Sequence, residues 1–142
     1  MHPFHYFKSL EIRYGDLDPQ GHVNNARYLT YLEQARIAYL LHLNLWDGHS
    51  FADVGIILAD AQITFRAPVL FGSQIQVGVR VTRLGGKSMT MEYLIEDSQT
   101  HQEFAHAATV LVAYDYHHSQ TISLPLDWRQ RIAEFENLPN LG

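Results

Sequence analysis

The chain has 142 residues, the usual length of one domain, and its 46% hydrophobic and 18% charged residues are a globular balance rather than a disordered one. Fifteen acidic residues against ten Lys and Arg give a net charge of -5, and the basic side chains are scattered, which argues against nucleic-acid binding through a concentrated positive face. With no cysteine, disulfides, thiolate metal sites and a Cys nucleophile are excluded.

Residues Met1 to Lys8 lack a basic start followed by an apolar run, and no apolar stretch approaches the ~20 residues of a membrane span. The expectation is a soluble, cytoplasmic chain forming one domain over residues 1–142.

The first predicted element is a strand from Phe7 to Tyr14, with Leu10, Ile12 and Tyr14 on one face. A loop follows, and then one long helix from Ala26 to Leu43, free of Gly and Pro, with Asn24 and Asn25 as candidate N-caps. Its predicted apolar arc holds Tyr28, Leu29, Leu32, Ala35, Tyr39, Leu40 and Leu43, opposite Arg27, Thr30, Glu33 and Gln34. Glu33 and Arg36, at i,i+3 spacing, read as an ion pair.

Period-two alternation then predicts strands from Asp60 to Ala67, ended by Pro68, from Gln74 to Thr82, and from Ser88 to Glu96. Gly85-Gly86 reads as the hairpin turn between the last two, and Asp97 to Thr100 as a looser turn. The run from Glu103 to Tyr114 is apolar on both faces, the mark of a central strand. A short amphipathic helix from Asp127 to Glu136 closes the chain, with Trp128, Ile132 and Phe135 on its apolar side. The order is α+β: a curved antiparallel sheet of about five strands, the last four in a meander, around one long helix.

Chemistry concentrates between Arg13 and Arg36, where Asp16, Asp18, His22, Asn24 and Asn25 precede the long helix on a loop with Gly15, Pro19 and Gly21. A helix start offers unpaired backbone N–H groups and the positive end of a dipole, which would polarise a carbonyl oxygen or hold an oxyanion. A carboxylate on the preceding loop could attack the carbonyl carbon or activate a water. Aspartate before a helix is also an ordinary turn former, and Asp16 reads as one. The nine histidines contain no His-Glu-x-x-His or comparable cluster, so no metal is expected. Tyr28, Tyr31 and Tyr39 read first as core or interface aromatics.

Gly15-Asp16-Leu17-Asp18-Pro19-Gln20-Gly21, followed by Tyr28 and Glu33-Gln34-Ala35-Arg36, resembles the 4-hydroxybenzoyl-CoA thioesterase group of hotdog-fold proteins. The resemblance implies hydrolysis of acyl-CoA thioesters, without a cofactor, by a homodimer or homotetramer. It implies Asp18 as the catalytic carboxylate and the Asn25 backbone N–H as the oxyanion donor. His22, Asn24 and Tyr28 would shape the pocket. Arg83, Lys87 and Ser88 flank the glycine turn, where they either meet the CoA phosphates or form a solvated hairpin tip. His22-Val23-Asn24-Asn25 departs from that group and is similar to fatty acyl thioesterases, which leaves the acyl group and its carrier open. Two further readings remain: a hydratase or dehydratase on the same fold, since the loop faintly resembles G-D-x-N-P-x-H, and a non-catalytic acyl-CoA-binding protein.

Overall fold

The computed structural model describes residues 2–139, and runs β1 (Phe7–Leu10), α1 (Arg27–His42), β2 (Ile56–Phe65), β3 (Ile75–Leu84), β4 (Ser88–Asp97), β5 (Glu103–Asp115), β6 (Gln120–Thr121) and α2 (Leu126–Glu136). Single 3-10 turns occupy Tyr14–Asp16 and Phe51–Asp53. All pairings are antiparallel, in the order β1-β3-β4-β5-β2, with β6 appended to β5. The curled sheet and its two helices match the expected hotdog arrangement.

The alternating apolar residues of β3 and β4 face inward, so Val77, Val79, Val81, Met89, Met91 and Ile95 are all buried. Helix α1 packs on β3 and β1 and shares one core with them. Gly85 and Gly86 form the β3–β4 turn as expected, and both carbonyls accept from the buried Arg129 guanidinium of α2.

Five expectations need correction. First, β3, β4 and β5 form a meander, but β2 crosses over to pair with β5, so the predicted four-strand meander is one strand short. Second, β2 begins at Ile56, upstream of the predicted Asp60, because a bulge between Leu58 and Asp60 breaks the alternation there. Third, β1 stops at Leu10, and Tyr14, predicted to end that strand on one face with Leu10 and Ile12, is 86% exposed at the start of a 3-10 turn. Fourth, Leu29 is exposed while Tyr31 and Arg36 are buried, so the packed arc of α1 is rotated from the predicted one. Fifth, Arg36 turns inward and its Nη1 donates to Tyr93 Oη at 3.0 Å, so the expected Glu33–Arg36 ion pair does not form. Tyr93 Oη in turn lies 2.7 Å from Thr109 Oγ1, completing a short polar chain inside the core.

Candidate active site

The loop before α1 is a small hairpin. Leu17 pairs with Val23 in an isolated bridge, Asp18 N donates to His22 O at 2.8 Å, and Gly21 N donates to Asp18 O at 3.0 Å. Asp at the first turn position, Pro at the second and Gly at the fourth suit this turn, and Gly21 takes φ +80, a conformation L side chains resist. Val23 N donates to Val69 O and His22 bridges to Leu70, which fixes the hairpin against the segment after β2.

Two aspartates divide the work. Asp16 is structural, as expected: its Oδ2 accepts from Arg13 N at 3.0 Å and from Tyr31 Oη at 2.8 Å, and Arg27 Nε lies 3.9 Å from Oδ1. Asp18 is held by one oxygen only. Its Oδ1 accepts from Gln20 N at 3.0 Å and His22 N at 3.1 Å, while Oδ2 has no hydrogen-bond partner among the described residues. The carboxylate is thereby oriented and keeps one oxygen available.

At the helix start, Asn24 Oδ1 accepts from Ala26 N at 2.9 Å, and Arg27 N and Tyr28 N donate to the carbonyls of Asn24 and Asn25. The Asn25 N–H has no acceptor among the described residues. Asp18, His22, Asn25 and Tyr28 line one pocket of about 380 Å³, together with Phe65, Arg66, Ala67 and Pro68. The residue whose carboxylate keeps an open oxygen and the residue whose backbone N–H is unpaired therefore line the same pocket. Tyr28 is buried and meets Phe65 edge to face, with ring centroids 4.9 Å apart. Burial raises its hydroxyl pKa, partly offset by the Val69 backbone N–H.

The structure does not gather every expected residue. Asn24 spends its side chain on the helix cap and is not among the pocket-lining residues. Arg83, Lys87 and Ser88 lie at the β3–β4 turn, where Ser88 pairs with Val112 of β5, whereas the pocket-lining Phe65 pairs with Ala105 at the opposite end of that strand. Phe65 and Arg66 were not foreseen as site residues. The alternation that put Phe65 on the apolar face of its strand was visible, but not that the strand end meets the hairpin. Arg66 Nε stands 3.5 Å from Glu103 Oε2, which His106 Nδ1 also contacts at 2.8 Å. Among the described residues no group of three or more His, Asp or Glu is placed to hold a metal ion, and no helix is long and apolar enough to cross a membrane.

The family model of the thioesterase-like superfamily matches residues 12–134, a span that holds the hairpin, α1 and the whole pocket. The chain belongs to this superfamily. It is 25% identical over 125 residues to the long-chain acyl-CoA thioesterase FadM of Escherichia coli, covering 88% of this chain and 95% of that one. It is also 25% identical over 129 residues to the 1,4-dihydroxy-2-naphthoyl-CoA hydrolase of Synechocystis, covering 89% and 94%. Among solved structures, a Thermus thermophilus thioesterase complexed with coenzyme A and Zn superposes with a TM-score of 0.85 at 32% identity, covering 98% of this chain and 100% of that one.

Proposed function

We propose that this member of the superfamily hydrolyses acyl-CoA thioesters, with Asp18 as the catalytic carboxylate and the Asn25 N–H as the oxyanion donor. The observation that carries the reading is the shared pocket: Asp18, with one carboxylate oxygen open, and Asn25, with its N–H unpartnered among the described residues, line one space at a helix start. With the thioester oxygen at that N–H, Asp18 either adds to the carbonyl carbon or takes a proton from the water that adds. The tetrahedral intermediate expels CoA as thiolate, which then picks up a proton. In the first case water opens the resulting mixed anhydride and frees Asp18. A thiolate leaves without strong acid assistance, so the small set of groups suffices. The names of the similar FadM and naphthoyl-CoA hydrolase support an acyl-CoA substrate.

We further infer that two copies pair through β2. This ten-residue strand is an edge, bonded only to β5, with Ile57, Leu58 and Phe65 exposed. A long apolar edge invites pairing and is normally covered. Antiparallel self-pairing with full overlap places Phe65 opposite the partner's Ile56 and brings the partner's β3–β4 turn toward this Asp18 pocket. Arg83, Lys87 and Ser88 would then serve the other subunit's CoA phosphates.

The test is thiol release from aryl, short-chain and long-chain acyl-CoAs by native protein and Asp18→Asn; the absent cysteine means the protein itself does not react with the dye. Release by the native protein alone is expected. Equal release by both would remove Asp18 from the mechanism, and hydration of an enoyl-CoA without thiol release would replace hydrolysis by the hydratase reading.

A further inference from the structure

We propose that the cavity at the amino-terminal end of β2 is a second binding site, one that takes an oxygen acceptor, a carboxylate above all, at the far end of an otherwise apolar acyl group. The inference rests on the thioester-hydrolase reading above and names the substrate class for it.

The cavity has a volume of about 220 Å³, with walls that include Val54, Ile56, Leu58 and Leu111 and with Arg36 among its lining residues. At roughly 30 Å³ per water it holds about seven waters' worth of space, and it falls below the ~300 Å³ at which pockets accept a whole small molecule. It fits the end of a ligand.

Arg36 is the anomaly. It is 7% exposed, yet among the described residues no carboxylate forms an ion pair with it. A guanidinium carries five N–H donors, and the side-chain partner of Arg36 is the single Tyr93 hydroxyl. No fully enclosed side-chain nitrogen of the described residues lacks a partner, so the remaining donors of Arg36 keep some accessible surface, and Arg36 lines this cavity. A buried charge without a counter-charge is costly, and an apolar residue of similar volume would relieve the strain on stability. An acceptor that enters the cavity supplies the missing partner. The Tyr93–Thr109 pair anchors the guanidinium through Nη1.

Two other polar groups belong to this wall. Tyr116 Oη is occupied, donating to Ile56 O at 2.6 Å. Glu33 also lines the cavity but is exposed, so its charge is solvated and screened at the rim while Arg36 lies beneath. An oxyanion is therefore favoured at the bottom and not at the mouth. Ile56 walls this cavity and Phe65 walls the Asp18 pocket. Full-overlap pairing of two β2 strands sets those residues opposite each other, so the tail of an acyl group held at one subunit's Asp18 points toward the other subunit's Arg36.

The test compares matched substrates on the native dimer: hexanoyl- with adipoyl-CoA and octanoyl- with suberoyl-CoA. A charge-assisted hydrogen bond predicts that kcat/KM for the carboxylate-ended member exceeds that of its plain partner by roughly tenfold or more. In Arg36→Met that ratio should fall to about one. If Arg36→Met does not fold, as judged by circular dichroism, Ile37→Trp narrows the cavity from α1, away from the β2 edge, and should lower the same ratio. Native cleavage of the plain substrates with no preference for the carboxylate overturns this site and leaves the hydrolase reading standing. Cleavage of neither overturns the hydrolase reading; calorimetry of suberate against octanoate then reads the site directly, and equal or absent binding overturns it too.

Discussion

The Tyr31 hydroxyl donates to Asp16 Oδ2 at 2.8 Å, tying the second turn of α1 to the hairpin that carries Asp18. Asp16 also receives Arg13 N, and its own carbonyl accepts from Asn24 N, so one residue sets the angle between hairpin and helix start. The relative placement of Asp18 and the Asn25 N–H depends on that angle.

Tyr31→Phe should therefore cost about 1–2 kcal/mol, since the lost bond is to a charged group, and should lower kcat more than it raises KM. Burial first, and then the Asp16 hydrogen bond, hold the Tyr31 hydroxyl pKa above its ordinary value. With the folded value raised, the stabilisation is fully present below the ordinary tyrosine range near ~10 and is lost as pH rises through the folded value. Chemical denaturation of native and Tyr31→Phe proteins checks this. Their stability difference should stay constant from neutral pH up to that range and shrink only above it.

Gly21 and Gly15 make a paired test of the hairpin. A Cβ at either position would meet nothing within 4 Å, but Gly21 alone has positive φ, at +80. Gly21→Ala should thus lose about 1–2 kcal/mol through backbone strain, and thioesterase activity with it as the Asp18 carboxylate shifts. Gly15→Ala should leave melting temperature and turnover near native values. Equal losses in both would mean that the loop's conformation does not position Asp18.

His117 gives a pH-dependent contact away from the site. Its Nε2 lies 2.7 Å from Asp53 Oδ1, and that carboxylate, by hydrogen bond and charge, raises the imidazole pKa. A raised histidine contributes stability that is complete below its ordinary value near ~6.5 and disappears as pH rises through the raised one. Both groups are exposed, so the effect should be small and salt-sensitive. The melting temperatures of native and His117→Gln proteins should differ in mildly acidic, low-salt buffer and converge in alkaline buffer. A difference that grows with pH would contradict the pair. The neighbouring His118 side chain binds Asp115 instead, so the two adjacent imidazoles serve different carboxylates.

Where period-two alternation was unbroken, the sequence revealed the strand: β3 and β4 lie within a residue or two of their predicted ends. It failed where local pattern carries no partner information. Nothing in Ile56–Ala59 alternates, because Ala59 sits in a bulge, and nothing local tells β2 to pair with β5 instead of β3. The helix wheel misjudged Arg36, since a charged residue enters the core only when distant side chains such as Tyr93 receive it. Asp18 and Asn25, singled out by the motif and by the helix start, both line the pocket. Phe65 and Arg66 were not singled out, because they join the pocket only through the bridge and bond that bring Leu70 and Val69 to the hairpin.

The β2 edge offers the sharpest test of assembly. In the full-overlap register Ala61 lies opposite the partner's Asp60, and both residues are exposed in the single chain. Ala61→Asp would place two carboxylates face to face at both symmetry-related positions, and like charges directly opposed disfavour strand pairing. In the monomer position 61 is exposed, so the fold should survive with a change of about 0.5 kcal/mol or less. Sedimentation should show a dimer for native protein and Ala61→Ser, and a monomer for Ala61→Asp. Because Ala61 lines neither the Asp18 pocket nor the Arg36 cavity, loss of thioesterase activity in the folded monomer would mean that each site needs the other subunit. A fully active monomer would show that Asp18 and Asn25 work alone, and the partner's β3–β4 turn would then have no part in holding CoA.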